Sequence, residues 1–256
     1  MNVGIVEYLF LKQKHKTPMS SLSKIYLCQE YGIEGDINSD RTSPRQILLV
    51  DANDTNKLSI APGELRENIV LKEIDSAIFK PGAKLTFSSG AEIRLTFYCE
   101  PCKRISHLVD SLQSIERKRG ILGVVVTEGK IIKGDHVVIK PNYFPPLSEI
   151  PYQRFLQLVN KIPPGKVITY KQVLKSIGVD RSYYRVMPLY LKKAPTGYPI
   201  HRVLNSQGQT ISHISQHRAK LAAEGVEVSV KQTSVEKSNN HYISLKDYGW
   251  QSPSIC

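Results

Sequence analysis

Up to about residue 140 the apolar residues come in short runs cut by Gly and Asp. These runs are Gln46-Ile-Leu-Leu-Val50, Lys84-Leu-Thr-Phe87, Glu92-Ile-Arg-Leu-Thr-Phe97, Gly123-Val-Val-Val-Thr127, Lys130-Ile-Ile-Lys133 and His136-Val-Val-Ile-Lys140. Turn signals such as Ser89-Gly90 and Glu128-Gly129 follow several of them. Closely spaced short strands predict a β-barrel or sandwich. The opening segment MNVGIVEYLFLKQKHK reads as a first strand, because no basic region precedes its apolar patch and no small-residue cleavage site follows it. Ser111 to Arg119 predicts a helix before the last strands.

The periodicity changes after residue 140. Residues 141–151 (PNYFPPLSEIP) carry four prolines in eleven positions, which predicts an extended, stiff connector. Beyond it the spacing turns helical over Gln153 to Lys161, Tyr170 to Gly178, Ser182 to Lys193 and Gln216 to Gly225. A short strand, Val226 to Ser229, follows. Lys231 to Asn240 is polar and predicts a flexible stretch. There are no internal repeats.

Charge sharpens the division. The 256-residue chain has 35 Lys and Arg against 23 Asp and Glu, a net +12. Residues 151–256 hold 15 of the basic and 5 of the acidic side chains, +10, leaving 20 and 18 before them. The positive field is therefore confined to the second part, as a phosphate-binding module would require, although a merely solvated basic face has the same composition. No apolar run reaches the length that spans a bilayer, so no membrane partner is expected. Four cysteines, Cys28, Cys99, Cys102 and Cys256, are too few and too uneven for a disulfide framework, which points to a reducing cytoplasm.

Two segments of the basic part carry chemistry. One is Ile162-Pro-Pro-Gly-Lys-Val-Ile-Thr-Tyr170; the other is Pro199-Ile-His-Arg-Val203, with Asn205, Gly208 and Leu221-Ala-Ala-Glu-Gly-Val226 after it. Over residues 152–230 this order resembles the winged helix-turn-helix domain of the alkylguanine-DNA alkyltransferases. Their hallmark is Pro-Cys-His-Arg-Val after Pro-Gly-Lys-Val-x-x-Tyr. Here Ile200 stands where the resemblance implies the alkyl-accepting cysteine. Isoleucine has no lone pair, so alkyl transfer to this position is excluded chemically. The resemblance narrows to the alkyltransferase-like proteins, which bind O6-alkylguanine in double-stranded DNA and pass it to excision-repair proteins. It implies that Tyr170 crowds the phosphate beside the target, that Arg185 fills the gap left by the extruded base, and that His201 and Arg202 line or brace the pocket. Glu224 then holds the His–Arg region from behind. Each of these residues has a plain structural reading too, as a core tyrosine, a core histidine or a surface charge. The groove helix departs from the family's small residues with Ser182-Tyr-Tyr-Arg-Val-Met-Pro-Leu-Tyr190: Tyr183 and Tyr184 either stack on bases or block entry, and Pro188 distorts the helix unless it lies in its first turn.

In the first part, Gly32-Ile-Glu-Gly-Asp36, Pro44-Arg-Gln46, Pro62-Gly-Glu-Leu-Arg-Glu-Asn68, Glu100-Pro-Cys102 and Arg119-Gly120 are singly only turn signals. Together, over about residues 3–140, they resemble the MOSC domain, a β-barrel named after the C-terminus of molybdenum-cofactor sulfurase. The resemblance implies Cys102 as catalytic thiol and molybdenum contact, with Arg45, Glu67, Asn68 and Arg119 binding an anionic cofactor. Molybdenum-ion, molybdenum-cofactor and pyridoxal-phosphate binding go with it as expectations. Asn38 stands where related domains carry His. The Cys99–Cys102 CxxC lacks a second ligand pair at zinc spacing.

The sequence thus predicts two domains: a mainly-β MOSC-like barrel over 1–140 and a mainly-α winged helix-turn-helix over 152–230, joined by 141–151 and followed by a polar tail, 231–256. The first expected function is a non-catalytic reader of alkylated DNA linked to repair. The alternative is a MOSC-type enzyme, performing sulfur transfer or reduction of N-hydroxylated compounds, that the second domain only localises. In a third reading both modules are structural or regulatory.

Overall fold

The computed structural model describes residues 3–231 and 240–251. It divides into two compact units, Met1–Glu149 and Ile150–Pro253.

In the first unit, β1 (Val3–Leu11), β2 (Ser20–Leu22), β3 (Lys24–Cys28), β4 (Gly32–Ile33) and β5 (Ile47–Asp51) precede a one-and-a-half-turn helix, α1 (Ala52–Lys57). Then come β6 (Ile69–Lys72), β7 (Lys84–Phe87), β8 (Glu92–Tyr98), β9 (Ile121–Thr127), β10 (Gly129–Ile132) and β11 (His136–Lys140). The main sheet runs β11-β7-β8-β9-β5-β6-β1-β2, and β11 also pairs with β1 through Val3 and Val138. That last pairing closes seven strands into a barrel, which removes the free edges that an open sheet would expose. The strand β1 is long enough to serve three partners: β11 takes its first residues, β6 its middle and β2 its last.

Side-chain alternation assigns the two faces. On β5, Ile47 and Leu49 fill the barrel with Leu9, Leu71, Ile93 and Leu95. Leu48 and Val50 point the other way, into an outer layer with Leu65, Phe97, Cys99, Ile105 and Ile115. A register shift between Leu95 and Tyr98 puts Phe97 in that outer layer rather than in the barrel with Leu95. This bulge carries the chain out to Cys99 and the CxxC. The helix expected over Ser111 to Arg119 is only a 3-10 turn, Leu112–Ile115. Arg117 and Gly120 both take positive φ, which an α-helix cannot accommodate. The Pro-rich run does not stand free as a connector. The Phe144 amide donates to Gly82, Arg94 reaches the Pro145 carbonyl at 2.8 Å, and the Arg94 guanidinium lies 5.0 Å from the Phe144 ring centroid.

The second unit is mainly helical: α2 (Pro151–Asn160), β12 (Ile168–Thr169), α3 (Tyr170–Ser176), a 3-10 turn (Arg181–Arg185), α4 (Met187–Lys193), a second 3-10 turn (Ile200–Arg202), β13 (Val203–Leu204), α5 (His217–Ala223), β14 (Ser229–Lys231), β15 (Asn240–Tyr242) and α6 (Leu245–Tyr248). Pro151 opens α2 at a position where its missing N–H costs nothing, and Phe155, Leu156, Leu158 and Val159 form its buried face. A capping box between Thr169 and Gln172 starts α3. The single helix expected over Ser182 to Lys193 is two pieces. The helix restarts at Met187, so that Pro188 falls within its first turn. The strand expected at Val226 to Ser229 lies further on, at β14. The chain after residue 240 is not a loose tail: Ile243 is buried with Val167, Leu204, Leu221 and Val226, and the Trp250 amide donates to the Val167 carbonyl. Within the flexible stretch expected over Lys231 to Asn240, residues 232–239 lie outside the described residues.

Gly120 has φ +100, and a Cβ there would sit 2.4 Å from the Leu49 carbonyl oxygen. Gly120→Ala is therefore expected to cost about 3 kcal/mol, combining left-handed strain with overpacking. Denaturant unfolding followed in the first unit measures it, and an unchanged midpoint would refute the argument.

Candidate functional site

The bulge in β8 delivers Cys99 and Cys102 into a field of guanidinium groups. Arg45 Nη1 lies 2.7 Å from Glu100 Oε2, and its Nη2 is 3.5 Å from Cys99 Sγ. Arg119 Nη1 donates to the Glu100 carbonyl and lies 3.3 Å from Cys102 Sγ. Arg119 is only 6% exposed, and its Nε has no hydrogen-bond partner among the described residues. Arg66, at φ +67, also feels Arg104, Arg119 and Cys102. Burial pushes the Cys99 thiol up, against the pull of Arg119 and Arg45. Cys99 is thus a buried neutral thiol, and the half-buried Cys102 is the one open to a reactant. A cavity of about 370 Å³ lined by Tyr98, Cys99, Glu100, Pro101 and Arg117, among others, lies beside the motif.

The other two residues expected at this centre, Glu67 and Asn68, are buried. Asn68 accepts from the Leu48 amide and donates to the Phe10 carbonyl and to Asp36 Oδ2, tying β1, β5 and the Asp36 loop together. Asn38 donates twice to Asp36 Oδ1, as a turn residue does. Glu67 is fully buried: its Oε1 accepts the Gly63 amide at 2.5 Å, Oε2 has no hydrogen-bond partner among the described residues, and burial raises its pKa. Arg45 and Arg119 were legible as motif residues. Arg66 stands within the Pro62–Asn68 motif and Arg104 two residues after Cys102, but only the fold brings Arg66 into the field of Arg104, Arg119 and Cys102. Among the described residues no group of three or more His, Cys, Asp or Glu is arranged to hold a metal ion.

In the second unit the chemistry converges on Glu224, which follows α5. Its Oε1 accepts from Arg202 Nη2 at 2.6 Å and lies 2.8 Å from His201 Nε2. Its Oε2 accepts from Arg202 Nε at 3.0 Å and from the Gly165 amide at 3.1 Å. Arg202 Nη1 also donates to the Ile162 carbonyl at 2.6 Å. Both sequence motifs, Ile162–Tyr170 and Pro199–Val203, are thereby fastened to one carboxylate. Burial alone would raise the pKa of Glu224, but the hydrogen bonds from Arg202, His201 and the Gly165 amide outweigh it and hold it at about 2.

The remaining expected residues surround this clamp. Ile200 is half-buried at the head of the 3-10 turn, packed on the core cluster. Tyr170, on the first turn of α3, is 9% exposed, and burial pushes its phenol up to about 12. Tyr183 and Tyr184 are half-buried against the same core; Tyr183 meets Tyr190 edge-on at 6.4 Å. Arg185 is exposed at the end of its 3-10 turn. Another site residue was missed in the sequence: His217, which holds the His201 carbonyl from the start of α5. Its only signal is the seven-residue spacing to Glu224. An open groove of about 990 Å³ runs along α5, lined by Ile211, Ile214, His217, Arg218 and neighbours but not by Ile200.

A β-barrel with a thiol set among arginines, followed by a basic helical unit with a clamped turn, defines a chain of two modules. The family model "6-O-methylguanine DNA methyltransferase, DNA binding domain" matches residues 151–226, and the MOSC domain model matches residues 45–138. A DNA base-flipping protein of Vibrio parahaemolyticus is 35% identical over 99 residues, covering 37% of this chain and 89% of the relative. Alkyltransferase-like protein 1 of Schizosaccharomyces pombe is 35% identical over 108 residues, covering 39% of this chain and 94% of the relative. The crystal structure of S. pombe Atl1 in complex with damaged DNA containing O6-carboxymethylguanine aligns at 32% identity and a TM-score of 0.34, covering 40% of this chain and 95% of that one. The chain belongs, through its second unit, to the 6-O-methylguanine DNA methyltransferase DNA-binding-domain family, and its first unit is a MOSC domain.

The sign of the Glu224 contribution follows from its lowered pKa. Its stabilisation is complete above the ordinary carboxyl value near 4.5 and is lost as pH falls towards about 2. Glu224→Gln is expected to destabilise the second unit by about 3 kcal/mol at neutral pH, because Arg202 is left without its charged partner. Melting curves from neutral pH to about pH 2 should bring parent and variant together at the acid end; a gap that persists there would refute the clamp.

Proposed function

We propose that the second unit is a non-catalytic reader of O6-alkylguanine in double-stranded DNA, feeding excision repair. The observation that carries this reading is Ile200. It stands at the head of a turn whose next two residues are locked by Glu224, so the scaffold of an acceptor site is kept while the nucleophile is absent. Among the described residues, the second unit contains no cysteine. The relatives named DNA base-flipping proteins support the same reading, because a base turned out of the stack can be held in a protein pocket and read there on its edges.

On this reading the 3-10 turn Arg181–Arg185 and α4 follow α3 as the DNA-contacting part of a winged helix-turn-helix. Arg185, exposed and with no ion pair among the described residues, is the side chain that fills the vacated stack. Tyr183 and Tyr184 rest on the core with their remaining edges at the surface, so they stiffen the groove element. Tyr170 keeps its proton at neutral pH and so acts as a hydrogen-bond donor towards a phosphate. Extruding a base costs a few kcal/mol, least for one that already pairs badly, and this favours an alkylated guanine over a normal one.

The first unit supports a second reading, that of a MOSC-type enzyme localised by its partner module. The half-buried Cys102 beside Arg119, and the unpartnered Arg119 Nε, fit a soft metal carrying an anionic organic ligand such as the molybdenum cofactor. Cys102 would contact the metal, and Arg119, Arg45 and Arg66 the anionic groups. When bound, the cofactor would supply sulfur-transfer or N-hydroxyl-reducing chemistry. Asn68 takes no part in this arrangement, because its amide belongs to the framework.

Titration of matched fluorescent duplexes is expected to show salt-sensitive binding with preference for O6-methylguanine over guanine. Arg185→Ala is expected to reduce that preference several-fold more than overall affinity. Equal affinity for the two duplexes, or a labelled methyl group found covalently on the protein, would overturn the reading. Cys102→Ser leaves lesion binding unchanged; if molybdenum copurifies with the parent, it is lost in this variant.

A further inference from the structure

Two residues on one face of α5 hold the turn that carries residue 200. His217 begins the helix and Glu224 follows its last residue, a spacing of seven that returns to the same side after two turns. Glu224 takes the side chains of His201 and Arg202. His217 takes the main chain: its Nε2 lies 2.7 Å from the His201 carbonyl oxygen. On the other side of the ring, Nδ1 lies 2.9 Å from the Ile211 amide nitrogen. An amide N–H can only donate and a carbonyl can only accept. The pair therefore selects the neutral imidazole with its proton on Nε2. The longer approach of Nδ1 to the Ile211 carbonyl, 3.3 Å, is the weaker contact.

We propose that His217 is a positioning residue for lesion recognition: its neutral ring is a strut that fixes the Ile200–Arg202 turn through the His201 carbonyl. The inference rests on the reading of the second unit as a lesion binder. His217 is 5% exposed, so both main-chain groups it serves are shielded, and an apolar replacement leaves them unpaired. The Glu224 clamp survives that change, because it grips side chains. The turn then keeps its place on α5 but loses the restraint on its backbone, which sets where Ile200 stands relative to an extruded base.

The strut depends on protonation. Burial lowers the pKa of His217, and the nearby His201 and His213 lower it further against the two backbone hydrogen bonds. Glu224 faces the same turn but is bonded to His201 and Arg202, and Arg218 turns to His241 at 2.9 Å. As pH falls below the ordinary imidazole value, a proton added at Nδ1 points at the Ile211 N–H and breaks that contact.

The test uses the full chain, the two matched duplexes and hydrogen exchange. His217→Leu is expected to lower the preference for O6-methylguanine about tenfold while changing affinity for the normal duplex less than about twofold. It is expected to speed exchange at the Arg202 and Val203 amides about tenfold, with α2 unaffected. His217→Gln, which keeps a donor and an acceptor, is expected to restore most of both. The parent's preference stays level down to the ordinary imidazole value of about 6.5 and declines as pH falls below it, whereas that of His217→Gln stays level throughout. Parental preference in His217→Leu, equal losses in both variants, or the same acid decline in His217→Gln each overturn the proposal. If the parent shows no preference for the lesion, the reading of function fails, and exchange at Arg202 and Val203 alone decides whether His217 positions the turn.

Discussion

One carboxylate organises the second unit. Glu224 gathers a guanidinium, an imidazole and a backbone amide from segments some twenty to sixty residues away in sequence. An ion pair of this kind contributes little net stability when it merely replaces hydrophobic packing, because desolvation offsets attraction. Its effect here is geometric. The loop before β12 and the turn before β13 cannot move independently, and β12 and β13 pair in parallel directly behind them. The residue at position 200 inherits that rigidity.

The first unit reaches a comparable result by topology. Pairing of β11 with β1 closes the barrel, and the irregularity in β8 directs the CxxC outward into a layer of its own. Cys99 and Cys102 differ in depth: one is buried and the other half-open, although both stand among the same arginines.

Strands with clear bounds were legible in the sequence. Lys84–Phe87 and His136–Lys140 fall where the apolar runs place them, because each is flanked by turn residues and packs by simple alternation. The domain types were legible through motif order. Three things were not. The 3-10 turn at Leu112–Ile115 was read as a helix, because its spacing is apolar-periodic while the positive φ of Arg117 is invisible in sequence. The chain after residue 240 was read as tail, because a few apolar residues such as Ile243 reveal their burial only against Val167 and Leu204. Asn68 stands in a motif that marks it as a ligand residue, and the sequence does not show that its amide serves three backbone and side-chain partners within the framework. Local pattern identifies elements; long-range hydrogen bonding decides which polar residues remain free for chemistry.

The hydrocarbon at position 200 has a kinetic consequence. A protein that accepts an alkyl group is consumed in the act, one molecule per lesion. On the proposed reading of the second unit, a side chain of carbon and hydrogen alone forms no covalent bond to the lesion, so each encounter is reversible and the molecule is released unchanged. Occupancy at damage would then be set by dwell time, and the same copy would mark many sites in succession.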